Sequence, residues 1–230
     1  MALLQCCWHS SEQCFQPPAP GARSAIDALS LEDYADQFAQ RAIITGWRGV
    51  ARGPIHQQVL GPAFASLPPE VQALHQPGPR AVWSGRARVR RGTSRSANLV
   101  ATLFNFPRAG ADVPVTVAFR TDGTGRETWA RTFDGRLMRS TQEAGTGRNQ
   151  HLITERFGPF AFGLALVIHG DRLRIIPRRW SIFSLPLPRF AMPHGDSHDS
   201  VQQGKFHFHV EIALPLIGPV VRYDGWLQPA

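Results

Sequence analysis

One segment of the chain places four side chains that could hold a small molecule at alternate positions. In Glu127-Thr-Trp129-Ala-Arg131-Thr-Phe133, a carboxylate, an indole, a guanidinium and a phenyl ring lie two residues apart. Because successive side chains of a β-strand point to opposite faces, all four would share one face. If that face is concave, Glu127 and Arg131 could bind a polar head group beside an apolar wall. The alternative is structural, with Glu127 paired to Arg131 and Arg131 lying on Trp129.

A second carboxylate, Glu155, begins the phrase Glu155-Arg-Phe-Gly-Pro159. It could act as a general acid or base, and with Glu127 and Arg131 it would make an enzyme that acts on an apolar substrate. The alternative is that Glu155 pairs with Arg156 or with a neighbouring strand. Two further aromatic residues complete the predicted ligand-binding set, which is Glu127, Trp129, Arg131, Phe133, Glu155, Trp180 and Tyr223.

Three arginines, Arg86, Arg88 and Arg90, alternate with apolar residues and would lie on one face of a strand. Guanidinium groups match the oxygens of phosphate and carboxylate, so the row could bind anions or the surface of an anionic membrane. We favour the simpler interpretation, in which the row is the solvated face of a sheet. Peripheral membrane binding stays an alternative hypothesis for the function.

Two groups of residues could ligate a metal, although we predict no metal site. His207, His209 and Glu211 would share one face of a strand and are suitable ligands for zinc or iron, but alternating histidines are often only a polar face. Near the N-terminus, the second half of a paired-ligand zinc motif is missing. The candidate ligands there are Cys6, Cys7, His9 and Cys14.

No motif for a familiar cofactor occurs in the sequence. There is no Gly-x-Ser-x-Gly elbow and no Walker loop, and the Gly-Thr-Gly phrases at 123–125 and 145–147 lack the third glycine of a dinucleotide site. We therefore expect no cofactor, and we favour a module without catalytic activity.

Composition limits the compartment and the class of partner. The net charge is +8, but the arginines are spread along the chain, so nucleic-acid binding is not favoured. All three cysteines lie in the first fourteen residues, and no signal peptide is recognisable, which together indicate a cytoplasmic protein. No apolar run reaches the length of about 18 residues that a membrane-spanning helix needs.

Turn residues and hydrophobic periodicity divide the chain into three parts. Residues 1–23 are predicted to be a flexible tail with a Pro-rich linker, residues 24–59 an amphipathic helix (31–42) with a connector, and residues 60–230 a β-rich domain. Within that domain a short helix is expected at 97–104, and nine alternating segments are expected to be strands. We predict a mainly β (α+β) fold, a strongly curved antiparallel sheet or incomplete β-barrel with a covering helix and N-terminal helices.

Several phrases in their order resemble a bacterial family known as domain of unknown function 4166. The phrases are Glu127-Thr-Trp129-Ala-Arg131-Thr-Phe133-Asp-Gly135, Glu155-Arg-Phe-Gly-Pro159, Arg179-Trp180, Leu185-Pro-Leu-Pro188 and Tyr223-Asp-Gly-Trp226-Leu227, and the resemblance extends from Leu60 to Pro229. The chain departs from the family pattern at His209, where an acidic residue is frequent, which weakens the metal alternative.

The resemblance carries no reaction, but it implies a partner. It implies relatives that are fused to, or encoded with, a saccharopine-dehydrogenase-like nicotinamide-binding domain, so the chain would act with an oxidoreductase-type partner. The aromatic residues of the strands favour a hydrophobic small molecule or lipid as the ligand, held in the hollow of a curved sheet. A packed core without a cavity is equally compatible with the sequence.

Overall fold

The structure of the protein, a computed structural model, describes residues 53–78, 80–122 and 124–230. The predicted tail at 1–23, the predicted helix at 31–42 and the candidate ligands Cys6, Cys7, His9 and Cys14 lie outside the described residues. The described part of the chain begins with the segment that leads into the first helix, Ile55–Leu60.

Eleven strands in the described part of the chain form one antiparallel sheet. They are β1 Arg80–Arg91, β2 Gly110–Thr121, β3 Glu127–Phe133, β4 Arg136–Ala144, β5 Ile153–Phe157, β6 Phe160–His169, β7 Arg172–Ile182, β8 Leu185–Pro186, β9 Ser197–Gln202, β10 Lys205–Leu214 and β11 Gly218–Pro229. Their order is β6-β5-β4-β3-β2-β1-β11-β10-β9-β7-β8, and β6 also pairs with β7. Ten strands therefore form a closed ring, and the two-residue strand β8 lies outside it on β7.

The mainly β, antiparallel architecture is confirmed, but the expectation of an incomplete barrel or open curved sheet was wrong. The barrel is closed by β9, which pairs with β10 on one side and with β7 on the other, through Leu173–Asp199 and Arg174–His198. Its sequence, Ser-His-Asp-Ser-Val-Gln, contains a single β-branched apolar residue, so it carries a weak strand signal. Closure removes the two unpaired edges that an open sheet would expose.

Helices lie at both ends of the barrel. Two short helices, α1 (Ile55–Leu60) and α2 (Pro69–His75), cover one end, which we call the capped end; a 3₁₀ turn at Gly61–Ser66 connects them. Helix α1 packs against β4, β5 and β6, and α2 packs against β9 and β10. Helix α3 (Arg95–Leu103) follows β1 in the chain and packs against β11 and β1 at the opposite end, which we call the rim. Its first turn is capped by Ser94 Oγ.

The alternating side chains of each strand divide between the barrel interior and solvent. On β1, Trp83, Ala87 and Val89 are buried, while Arg86 and Arg88 are exposed. Strands β1 and β11 approach each other so closely that a Cβ atom on Gly85 would lie 1.8 Å from the carbonyl oxygen of Trp226. In the described residues, no helix combines the length and the apolar character needed to cross a bilayer.

Candidate functional site

The closed barrel encloses a cavity of about 420 Å³. It extends from His56 and His75 at the capped end to Phe104 and Trp180 at the rim. Both histidines are 2% exposed, whereas Phe104 and Trp180 are only partly buried. The cavity therefore opens towards the rim and ends blindly under α1 and α2.

Four side chains of β3 were predicted to share a face, but only three of them line the cavity. Trp129, Arg131 and Phe133 line the cavity. Glu127 lies behind them, 2% exposed, and accepts hydrogen bonds from Trp129 Nε1 (3.1 Å) and from the backbone N–H of Ile55 (3.4 Å). Burial raises the pKa of the Glu127 carboxyl. This carboxyl group therefore joins β3 to the first residue of α1 and does not face the cavity.

Arg131 is paired across strands with Glu155, which also lines the cavity. Its Nη2 lies 3.2 Å from Glu155 Oε1, and its guanidinium carbon lies 4.8 Å from the centre of the Trp129 ring. Ser140 Oγ and Gln142 Nε2 donate to the same Oε1, at 2.7 and 3.1 Å, and Arg131 Nη1 donates to Ser140. The ion pair is therefore held by inward-facing polar residues of β4, whereas the sequence alternative had paired Arg131 with Glu127.

Two histidines that the sequence analysis did not select lie at the blind end of the cavity. The rings of His56 and His75 stack with their centres 3.7 Å apart, and both rings lie about 6 Å from the ring of Trp129. Nδ1 of each histidine is buried without a hydrogen-bond partner among the described residues. Burial lowers the pKa of His56 well below 6.5, with His75 as a further cause.

His75 is joined to Asp199 of β9, with 2.8 Å between Nε2 and Oδ2. Burial lowers the pKa of His75 to about 3 and raises the pKa of Asp199 to about 7. Between about pH 3 and pH 7 both groups are therefore uncharged, and the protonated carboxyl group donates a hydrogen bond to Nε2. No short motif could have revealed this pair, because the two residues are 124 positions apart.

The remaining predicted ligand-binding residues also line the cavity. Tyr223 is 7% exposed, its ring lies 5.3 Å from that of Phe133, and burial raises its pKa to about 12. Trp180 is half-buried towards the rim, and its Nε1 donates to the carbonyl oxygen of Pro188 at 2.9 Å. Six of the seven predicted residues therefore lie around one cavity, and Glu127 is the exception.

The predicted arginine row lies on the outside of β1, away from the cavity. Arg86 Nη1 is 3.4 Å from Asp112 Oδ2, and both side chains are more than half exposed. Arg88 is exposed and Arg90 is half-buried. The three guanidinium groups point to the solvent side of the barrel, and an anion-binding role for them stays a prediction.

The residues of the metal alternative do not come together as a ligand group. Glu211 lines the cavity, whereas His207 and His209 do not, and the ring of His209 stacks on that of His198 with centres 5.0 Å apart. Between residues 53 and 230, as far as they are described, no three His, Cys, Asp or Glu residues form a group that could hold a metal ion.

Comparisons with known proteins place the chain in a family and give it no activity. A solved structure, "Crystal Structure of Rv2717c from M. tuberculosis", is similar at 12% identity and a TM-score of 0.38, over 71% of this chain and 99% of that chain. No curated protein matches. The model of the family "Domain of unknown function (DUF4166)" matches residues 67–227. The chain therefore belongs to the domain of unknown function 4166 family.

Proposed function

We propose that the protein is a non-catalytic module that holds an elongated, mainly apolar small molecule inside its barrel. The observation that carries this proposal is the cavity of about 420 Å³, which falls within the range of about 300–1,000 Å³ typical of small-molecule sites. Its lining is mainly apolar. The polar lining residues include His56, His75, Gln142 and Asp199 near the capped end and His194, Ser197 and Glu211 towards the rim. A mainly apolar wall with a few polar groups suits a ligand with an apolar body and a polar end.

The chemistry of the blind end favours a neutral polar group on the ligand. Arg131 is already paired with Glu155, and the low pKa values of His56 and His75 keep both rings uncharged. An anionic head group would therefore be buried without a free cationic group beside it, which is costly. A hydroxyl or carbonyl oxygen could instead accept a hydrogen bond from histidine Nδ1–H, and a hydroxyl group could donate to Gln142 Oε1, which is also buried without a partner in the described residues. We therefore expect a neutral lipid, quinone or isoprenoid alcohol.

Native mass spectrometry of the full chain purified from a bacterial host tests this proposal. The wild-type protein is expected to retain an extra mass that organic solvent releases and that resolves to a neutral, hydroxyl- or carbonyl-bearing lipid. Val210→Trp would fill part of the cavity from β10 and should abolish retention, whereas Val82→Trp places the same side chain at an exposed position of β1 and should not. Equal retention by both variants would contradict binding inside the barrel.

An enzyme acting on an apolar substrate is the second candidate. The observation that favours it is the presence of Glu155 and Arg131 in the cavity, 3.2 Å apart, together with the His75–Asp199 pair. Glu127 would have no direct part, because its carboxyl group is engaged by Trp129 and Ile55. Glu155→Gln should then abolish turnover of a substrate identified from the bound lipid while ligand retention persists. Loss of folding in the same variant would instead identify a structural ion pair.

The proposed partner is an oxidoreductase-type protein, as the family resemblance implies. A saccharopine-dehydrogenase-like protein would exchange the apolar molecule with this module. Affinity purification of the full chain from its own cells, followed by identification of the proteins retained at moderate salt, tests the interaction. Recovery of the chain without any nicotinamide-binding protein would count against it.

A further inference from the structure

The exposed apolar side chains of the barrel are concentrated at the rim. Eight large apolar side chains are exposed among the described residues, and seven of them lie in segments that connect or begin strands at the rim. The exception is Val82, at the capped end of β1. Single exposed apolar residues need no explanation, but a group at one end of a molecule indicates an interaction surface. The six most exposed members are Leu99, Leu103, Phe183, Leu185, Phe190 and Leu216.

Two of these side chains stand at turn positions where the backbone disfavours them. Phe183 has φ of 47° and is 75% exposed, and Leu216 has φ of 65° and is fully exposed. Glycine or asparagine would adopt this left-handed conformation at lower cost, and neither apolar side chain is needed to fill the core. The fold alone therefore does not account for phenylalanine and leucine at these two turns.

The apolar rim is also basic. Residues 91–109 and 178–191, which include α3, the end of β7 and the segment after it, contain six arginines and no aspartate or glutamate. Acidic residues elsewhere at this end include Asp112, Asp134 and Asp196, so the basic character belongs to these two segments. The turns at the capped end are mixed in charge, since Asp122, Glu143, Arg126 and Arg148 lie there. Leucine and phenylalanine interspersed with arginine are the composition of a surface that inserts into an anionic membrane interface.

We propose that the rim docks on an anionic lipid bilayer, with Phe183, Phe190 and Leu216 entering the interface and the surrounding arginines contacting the lipid phosphates. A second copy of the chain is a poorer partner, because a symmetric contact through the rim would bring like-charged arginines together. The cavity opens at this same end, so docking would place its mouth against the acyl chains. Only this last consequence rests on the proposed ligand binding; the docking itself does not.

Vesicle flotation of the full chain tests the docking. The protein is expected to float with vesicles of phosphatidylcholine and phosphatidylglycerol, and to float weakly with phosphatidylcholine alone. The double variant Phe183→Asn, Leu216→Asn should bind at least about tenfold more weakly, since two large apolar side chains no longer leave water. Asparagine tolerates positive φ, so the variant should fold. The matched control Val82→Asn, at the capped end, should bind like the wild type.

A second pair of variants tests the electrostatic part. Arg179→Gln and Arg189→Gln change exposed residues of the rim and should each weaken binding to the anionic vesicles about fivefold, with less effect at high salt. Absence of wild-type binding to anionic vesicles would overturn the proposal, and so would unchanged binding by the double apolar variant. A wild-type dimer that the apolar variant converts to a monomer, without vesicle binding, would instead identify self-association and equally overturn it. Ligand retention in native mass spectrometry is independent of all these outcomes.

Discussion

Replacing Asp199 with asparagine isolates the free energy associated with burying one carboxyl group at the blind end of the cavity. The substitution preserves the shape of the side chain, and the new amide can donate a hydrogen bond to His75 Nε2, as the protonated carboxyl group does. Both proteins keep His56 and His75, so the contributions of the histidines to the pH dependence cancel when the two are compared. The difference in their stability therefore reports on the ionisation of Asp199.

The sign and size of the effect follow from the raised pKa of Asp199. The ordinary value is 3.8 and burial raises it to about 7, so between these pH values the folded protein binds the proton and the unfolded chain does not. The stability of the wild type relative to the variant therefore falls as the pH rises from about 4 to about 7. Each unit of pKa corresponds to about 1.36 kcal/mol, so the total change is about 4 kcal/mol.

Urea denaturation of both proteins at a series of pH values measures this difference. The two are expected to have similar stability near pH 4, and Asp199→Asn should be the more stable protein by several kcal/mol near pH 8. A wild type that gains stability over the variant as the pH rises would refute the reasoning. It would mean that Asp199 is ionised in the folded protein and held by a charged His75, despite the burial of both side chains.

Three further substitutions test the interactions that hold the site. Glu127→Gln should lower the free energy of unfolding by about 1–3 kcal/mol in urea denaturation, because a buried acceptor of two hydrogen bonds is changed. Gly85→Ala should lower the melting temperature sharply, since its Cβ would overlap the backbone of β11, whereas Gly78→Ala, in open space, should not. Arg131→Leu should lose about 3–5 kcal/mol by leaving Glu155 unpaired, and the double variant Arg131→Leu, Glu155→Leu should recover much of that loss in the same assay.

The sequence predicted which side chains of β3 share a face, but it left open whether that face is interior and which strands are neighbours. The alternation grouped Trp129, Arg131 and Phe133 on one face, and in the structure that face lines the interior. The partner of Arg131 could not be predicted, because a pattern of period two fixes a face and leaves the register open. In the structure, the register of β4 and β5 pairs Gln142 with Glu155, and Glu155 bonds to Arg131.

The least predictable part of the site is the blind end. His56 and His75 belong to helices of six and seven residues. One histidine in so short a helix gives no sequence signal of a binding site. Asp199 belongs to β9, whose polar sequence gave no strand prediction. These three residues come together only because β9 closes the barrel and α1 and α2 cover its end. Both arrangements depend on contacts between residues far apart in the sequence, which hydrophobic periodicity does not reveal.

The capped end of the barrel is held by buried hydrogen bonds, whereas the rim exposes apolar side chains to solvent. At the capped end, buried hydrogen bonds to Glu127 and Asp199 fasten α1 and α2 to the strands, so that end is closed by specific polar contacts. At the rim, α3 buries Ala97 and Ala101 against the barrel but leaves Leu99 and Leu103 in solvent. An apolar molecule entering from the rim would therefore meet the exposed leucines of α3 first and the uncharged histidines under α1 and α2 last. That order favours entry from the rim with the apolar body trailing, and it is the order in which a lipid leaving a membrane would present its polar end to the cavity.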